Sequence, residues 1–135
     1  MKAKAAGTFE VKITPQNTGE KLGAAGVSRF ALDKQYEGDL EAVSQGQMVA
    51  AGTEVKGSAG YVAIEKVTGT LGNRTGTFFL QHSGIMSRGE SSLNVVVIPD
   101  SGTADLAGLS GTLTIKIEGG KHFYEFEYLV AEKPE

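Results

Sequence analysis

Glu65 and His82 are the two side chains of this 135-residue sequence best suited to doing chemistry. A carboxylate set among apolar neighbours is costly to ionise unless a donor compensates it. An imidazole beside it supplies that donor and exchanges protons near neutral pH. In an apolar cavity the two together can shuttle a proton. The rival reading is a satisfied buried contact that fixes strand register. The second histidine, His122, borders the Gly119-Gly120 turn and is expected to be exposed. Two histidines in separate hairpins make no zinc signature, so no metal is expected. The absence of cysteine removes thiolate chemistry, disulfides and iron–sulfur clusters. No cofactor motif is present either.

The elements that position the pair are two long strands, Tyr61 to Thr70 and Thr75 to Ser83, joined at Gly72-Asn73. That dipeptide is suited to a tight hairpin. Folding there sets Leu71 opposite Arg74, Val67 opposite Phe78, Glu65 opposite Leu80 and Ala63 opposite His82. Tyr61, Ala63, Glu65, Val67, Phe78, Leu80 and His82 then share one face. Val62, Ile64, Lys66, Thr77, Phe79, Gln81 and Ser83 share the other. The first set is bulkier and more apolar, so it is assigned to the interior. Glu65 and His82 become diagonal neighbours with backbones about 7–8 Å apart, within reach of long side chains. A one-residue bulge between them would put them on opposite faces, and nineteen glycines make bulges a live alternative. Tyr61, Phe78 and Leu80 on this face are expected to line a ligand cavity.

The last hairpin checks itself. A two-residue turn at Gly119-Gly120 pairs Glu118 with Lys121, Ile117 with His122, Ile115 with Tyr124 and Leu113 with Phe126. Apolar residues meet apolar or aromatic partners, and a slip of one residue would break that on both faces. Tyr124 and Tyr128 lie on the apolar face with Phe126 between them. They are expected to line the same cavity and offer hydroxyl groups, or else to be core residues with tips at the rim.

The rest of the chain is also strand-like. Ala5, Gly7, Phe9, Val11 and Ile13 alternate with polar residues up to Pro15, and Pro15 to Gly23 reads as a polar loop. Two strands with a turn near Tyr36–Gly38 cover residues 27–49. Leu40, Val43 and Met48 have a loose helical spacing as well, but Gly38, Gly46 and Gly52 oppose a long helix. Ser91 to Ile98 ends in Val95-Val96-Val97-Ile98, which suggests a strand covered on both faces. Thr103 to Gly108 fits one helical turn, with Thr103 as N-cap. Ser101-Gly102-Thr103 ahead of it can be read as an anion-binding loop or as a structural crossover. Residues 131–135 form a charged tail.

About eight strands, no long helix and short connections define an all-β domain spanning residues 1–135. A closed antiparallel eight-stranded barrel removes exposed edges, and a sandwich is the alternative. The net charge of −3 and the lack of a basic run argue against nucleic acid. No apolar run reaches the about 18 residues of a membrane span, and no apolar stretch follows the N-terminal lysines as a secretory signal would require. A cytoplasmic location is expected. Outer-face Ile64 and Phe79, with the doubly apolar Val95–Ile98 run, need a cover, and a homo-oligomer is expected.

Four segments carry a resemblance: Ser58 to Gly69, Gly76 to Gly84, Pro99 to Gly111, and His122-Phe123-Tyr124 with Tyr128. In these the chain resembles a bacterial family of domains of unknown function. The resemblance implies an eight-stranded barrel similar to that of allene oxide cyclase and plant dirigent proteins, whose interiors hold apolar small molecules. Ala104 stands where the Ser-Gly-Thr-Gly form of the motif has glycine. Two functional readings follow. One is a barrel that binds a small apolar molecule, with isomerase or cyclase chemistry by Glu65 and His82 as its enzymatic form. The other is a non-catalytic structural or interaction module with a self-filled core. Cavity volume separates them.

Overall fold

The computed structural model of the chain describes residues 2–16 and 26–131. Most of the expected 15–23 loop and residues 132–135 of the tail lie outside the described residues. Eight antiparallel strands run in chain order: β1 (Ala3–Pro15), β2 (Val27–Gly38), β3 (Leu40–Gly52), β4 (Ala59–Leu71), β5 (Arg74–Ser87), β6 (Glu90–Val97), β7 (Leu109–Glu118) and β8 (Lys121–Val130). Each pairs with the next, and β8 returns to β1, closing the barrel. Among the described residues one 3-10 turn, Ala104–Leu106, interrupts the strands. No helix among the described residues is long and apolar enough to cross a membrane.

Both hairpin registers follow the alternation of the sequence. Leu71 faces Arg74, Val67 faces Phe78, Glu65 faces Leu80 and Ala63 faces His82. Gly72 turns that corner at φ +65°. In the last hairpin Ile117 faces His122, Ile115 faces Tyr124 and Leu113 faces Phe126. The inward set is the one whose burial yields most, about 1.5–3 kcal/mol for each fully buried large apolar side chain. Phe78, Leu80 and Phe126 are at most 1% exposed. Phe78 stacks on Phe126 with ring centres 5.9 Å apart, and Tyr128 packs on Phe126 at 5.3 Å.

The reading of two strands over residues 27–49 holds, and the second runs on to Gly52, with inward Leu40, Ala42 and Ser44 alternating with exposed Glu41, Val43 and Gln45. Other expectations are corrected. Tyr36 stays in β2, opposite Ala42, so the turn falls later, after Gly38. Val95 and Val97 point inward but Val96 points out and is 37% exposed, so the second face of β6 is not covered by the described residues. His122 is half-buried with its ring 5.0 Å from that of Phe9, because β8 pairs with β1 and sets His122 opposite Phe9.

The Ser101–Asp105 stretch has a structural role that spacing alone did not reveal. β6 pairs with β5 only from Leu80 onward, which leaves the first half of that β5 edge without strand partners. Backbone groups there need hydrogen bonds from elsewhere. Ser101 Oγ accepts from the Phe79 N–H, Thr103 Oγ1 from Thr77 and Asp105 Oδ2 from Thr75, at 3.0, 3.0 and 3.2 Å. The Thr103 N–H donates in turn to the Thr77 carbonyl. Every second side chain of this strap replaces a missing strand. Thr103 therefore makes no side-chain cap for the 3-10 turn.

Candidate functional site

Glu65 projects into the barrel from the middle of β4 and is 0% exposed. It has room because β3 opposes it with Gly46. A Cβ built on Gly46 would lie 2.9 Å from the Glu65 Cβ and 2.8 Å from its Cα. Four side chains from three other strands converge on the carboxylate. Lys34 Nζ donates to Oε2 at 2.8 Å, and His82 Nε2 lies 2.5 Å from the same oxygen. The Tyr36 hydroxyl and Ser44 Oγ donate to Oε1, the latter at 2.9 Å. A carboxylate offers about four acceptor directions, so this one is saturated.

Burial pushes the Glu65 carboxyl up. The hydrogen bond from His82 and the charge of Lys34 oppose that and win, lowering it from 4.5 to about 2. Glu65 is thus a fixed anion. Burial, then the neighbouring Glu65 charge, raises the Tyr36 phenol well above 10, so Tyr36 stays protonated and donates. The Lys34 ammonium also sits 4.8 Å from the centre of the Phe9 ring, a favourable place for a desolvated cation.

The expected pair is therefore together, both members inward and in contact. Lys34, Tyr36 and Ser44 are the members that sequence reasoning missed. Their trace was there: Leu32, Lys34 and Tyr36 alternate inward along β2, and a lysine at such a position requires a buried acid.

Above the hub, one end of the barrel is open. A cavity of about 650 Å3 is lined by Met48, Ala50, Tyr61, Leu93, Ile115 and Ile117, with contributions from the ends of β4, β5 and β6. His82 lies one inward step below Gly84 on β5, and Ala63 beside it lies one step below Tyr61 on β4. Such steps are about 7 Å. Gly84 lacks a side chain because the Tyr61 ring occupies that space, with Cδ1 2.9 Å from where a Cβ would be. Burial and Glu65 together raise the Tyr61 phenol, so it too stays protonated.

The other end of the barrel is packed shut. The Tyr124 hydroxyl donates to the Glu37 carbonyl and accepts from the Leu40 N–H at 2.9 Å, tying β8 to the β2–β3 turn. Of the five residues expected to line a cavity, only Tyr61 lines the mouth. Phe78, Leu80 and Tyr124 are in the packed core, and Tyr128 is partly buried against it.

These features define a closed eight-stranded antiparallel barrel with a saturated carboxylate hub at its centre and an apolar mouth at one end. Residues 5–128 match the DUF3224 family, described as proteins of unknown function, and the chain belongs to that family. It is similar to the crystal structure of a DUF3224 protein of unknown function from Shewanella oneidensis MR-1. The two share 51% identity and a TM-score of 0.92, over 98% of this chain and 100% of that one. No curated protein matches the sequence.

Proposed function

We propose that the protein holds a small apolar molecule in the open mouth of the barrel, with the Glu65–His82 pair beneath the residues that line it. The observation that supports this is the cavity, about 650 Å3 of largely apolar lining. Sites for drug-sized ligands begin at roughly 300 Å3. In this reading Glu65 is a positioning residue. Its carboxylate is held ionised by four donors and fixes the orientation of His82.

The enzymatic form of the same reading is a proton-transfer isomerisation. His82 takes a proton from a carbon beside a carbonyl group of the bound molecule and returns it to another atom of that molecule. The imidazolium formed in between is stabilised by the Glu65 carboxylate. The proton and the electron pair both stay with the ligand at the end, so no co-reactant is consumed. A self-filled core describes the opposite end of the barrel, where Phe78, Leu80 and Phe126 are packed tightly.

The test is mass spectrometry of small molecules released from the natively purified protein, together with binding of the apolar dye Nile red. Ala50→Trp fills the mouth and should weaken dye binding about tenfold or more without unfolding the barrel. Equal dye binding by the folded variant, with no co-purifying molecule, would reject the reading.

A further inference from the structure

We infer that the outer face of β3–β6 is the interface of a two-fold dimer of this chain, with the axis passing near Ile64. Charge is divided unequally over the outside of the barrel. β1, β2, β7 and β8 carry exposed charges of both signs, among them Glu10, Lys12, Asp33, Lys116, Glu125 and Glu127. The other half differs. From Val43 to Val49 on β3, Val62 to Thr68 on β4, Phe79 to Ser83 on β5 and Asn94 to Val96 on β6, the one exposed charged side chain is Lys66. Val43, Val49, Val62, Ile64, Phe79 and Val96 are exposed there instead. Strand pairing sets Gln47, Ile64, Gln81 and Val96 side by side across all four strands, with Ile64 near the middle of the face.

A partner of opposite charge has one group to meet on this face, Lys66, so neither an acidic peptide nor a nucleic acid is called for. A second copy of the chain complements it. Residues on a two-fold axis meet their own counterparts, so a charge there would face its like, and an uncharged centre suits such a contact. Gln45, Gln47, Gln81 and Asn94 are exposed around the apolar residues. Each is both donor and acceptor, so the amides of one copy satisfy those of the other. Lys66 follows Ile64 outward on β4, and its long stem carries the ammonium to the rim. A ring would join two different surfaces head to tail, and the described residues offer one uncharged sheet face, which favours the two-fold. The size also fits. Four strands and the run from Val43 to Val49 make a face about 19 by 20 Å. With side-chain relief this approaches the roughly 800 Å2 that each partner gives to a standard interface.

The experiment is light scattering on the full chain after size-exclusion chromatography at micromolar concentration. The wild type should give twice 14.1 kDa. Ile64→Glu sets like charges against each other at the axis and should weaken the dimer about a hundredfold or more. Thr114→Glu, at an exposed position on the charged side of the barrel, should leave it intact. The chain has no cysteine, so single cysteines report on the face directly. Ile64→Cys should give a disulfide-linked dimer on mild oxidation, and Thr114→Cys should not. This second pair decides the matter even if Ile64→Glu does not fold. A wild-type monomer overturns the inference, and if that monomer sediments with phosphatidylcholine vesicles the face belongs to a lipid surface. A mass three times 14.1 kDa overturns the two-fold. A dimer that Ile64→Glu leaves at full strength, or that Thr114→Cys links, overturns the choice of face.

Discussion

Replacing Glu65 with Gln removes one charge from the centre of the barrel and almost no volume. The amide keeps one acceptor oxygen, but its NH2 group must then face donors, with Lys34 and His82 on one side and Tyr36 and Ser44 on the other. Lys34, whose side chain is 5% accessible, loses its counter-ion. Removing one partner of a buried pair costs about 3–5 kcal/mol. Linkage gives a second route to the magnitude. The Glu65 carboxyl is lowered from 4.5 to about 2 in the fold, and each tenfold change in proton affinity is worth about 1.4 kcal/mol. The folded state therefore gains about 3 kcal/mol from the ionised form. The sign follows from the lowered value. The contribution is fully present above the unfolded value of 4.5 and is lost as pH falls from there through about 2. Denaturant unfolding followed by circular dichroism should show Glu65→Gln about 3–5 kcal/mol less stable at pH 7, with a melting point about 10–20 °C lower. Between pH 4.5 and 2 the gap between the two proteins should close, because the wild type becomes the protonated form that Gln imitates. Other carboxylates titrate in the same range, but they cancel in the difference. Adding Lys34→Met to Glu65→Gln should recover much of the loss. A gap below about 1 kcal/mol at pH 7, or one that stays constant down to pH 2, would refute the account of the hub.

Ala104 adopts φ +52°, in the left-handed region that costs an ordinary residue about 1–2 kcal/mol. Ala104→Gly should therefore stabilise the protein by about 0.5–1 kcal/mol after the greater entropy of the unfolded glycine is counted, and an unchanged or lower melting point would contradict this. Thr103→Val removes the acceptor for the Thr77 N–H. It should cost about 0.5–1.5 kcal/mol and speed hydrogen exchange at Thr77; unchanged exchange there would remove the strap from its role as a strand substitute. Val62, Ile64, Phe79 and Val96 are 55, 47, 37 and 37% exposed on the outer face. The expected cover is a second copy of the chain, so light scattering at micromolar concentration should give a mass above 14.1 kDa, and a clean monomer would refute it.

The β4–β5 and β7–β8 registers were legible in the sequence, because a strand's side chains alternate and a two-residue turn leaves one way to match apolar sets. That alternation places Glu65 and His82 on one inward face. The strand assignment of residues 40–52 was less plain, since Gly46 and Ser44 stand where an apolar pattern would need bulk. Those small and polar inward residues are there for Glu65: Gly46 leaves the space and Ser44 donates a hydrogen bond. Lys34 and Tyr36 come from 31 and 29 residues away in sequence. Local pattern carries no record of such distances. They are set by how far each strand is staggered against the next around the closed barrel, and the β1–β8 pairing completes that closure. Which inward aromatic residues are core and which reach the mouth is decided the same way. Tyr61 and Phe78 share a face of one hairpin, yet only Tyr61 lies near the open end, because depth along the barrel axis depends on strand tilt and not on alternation.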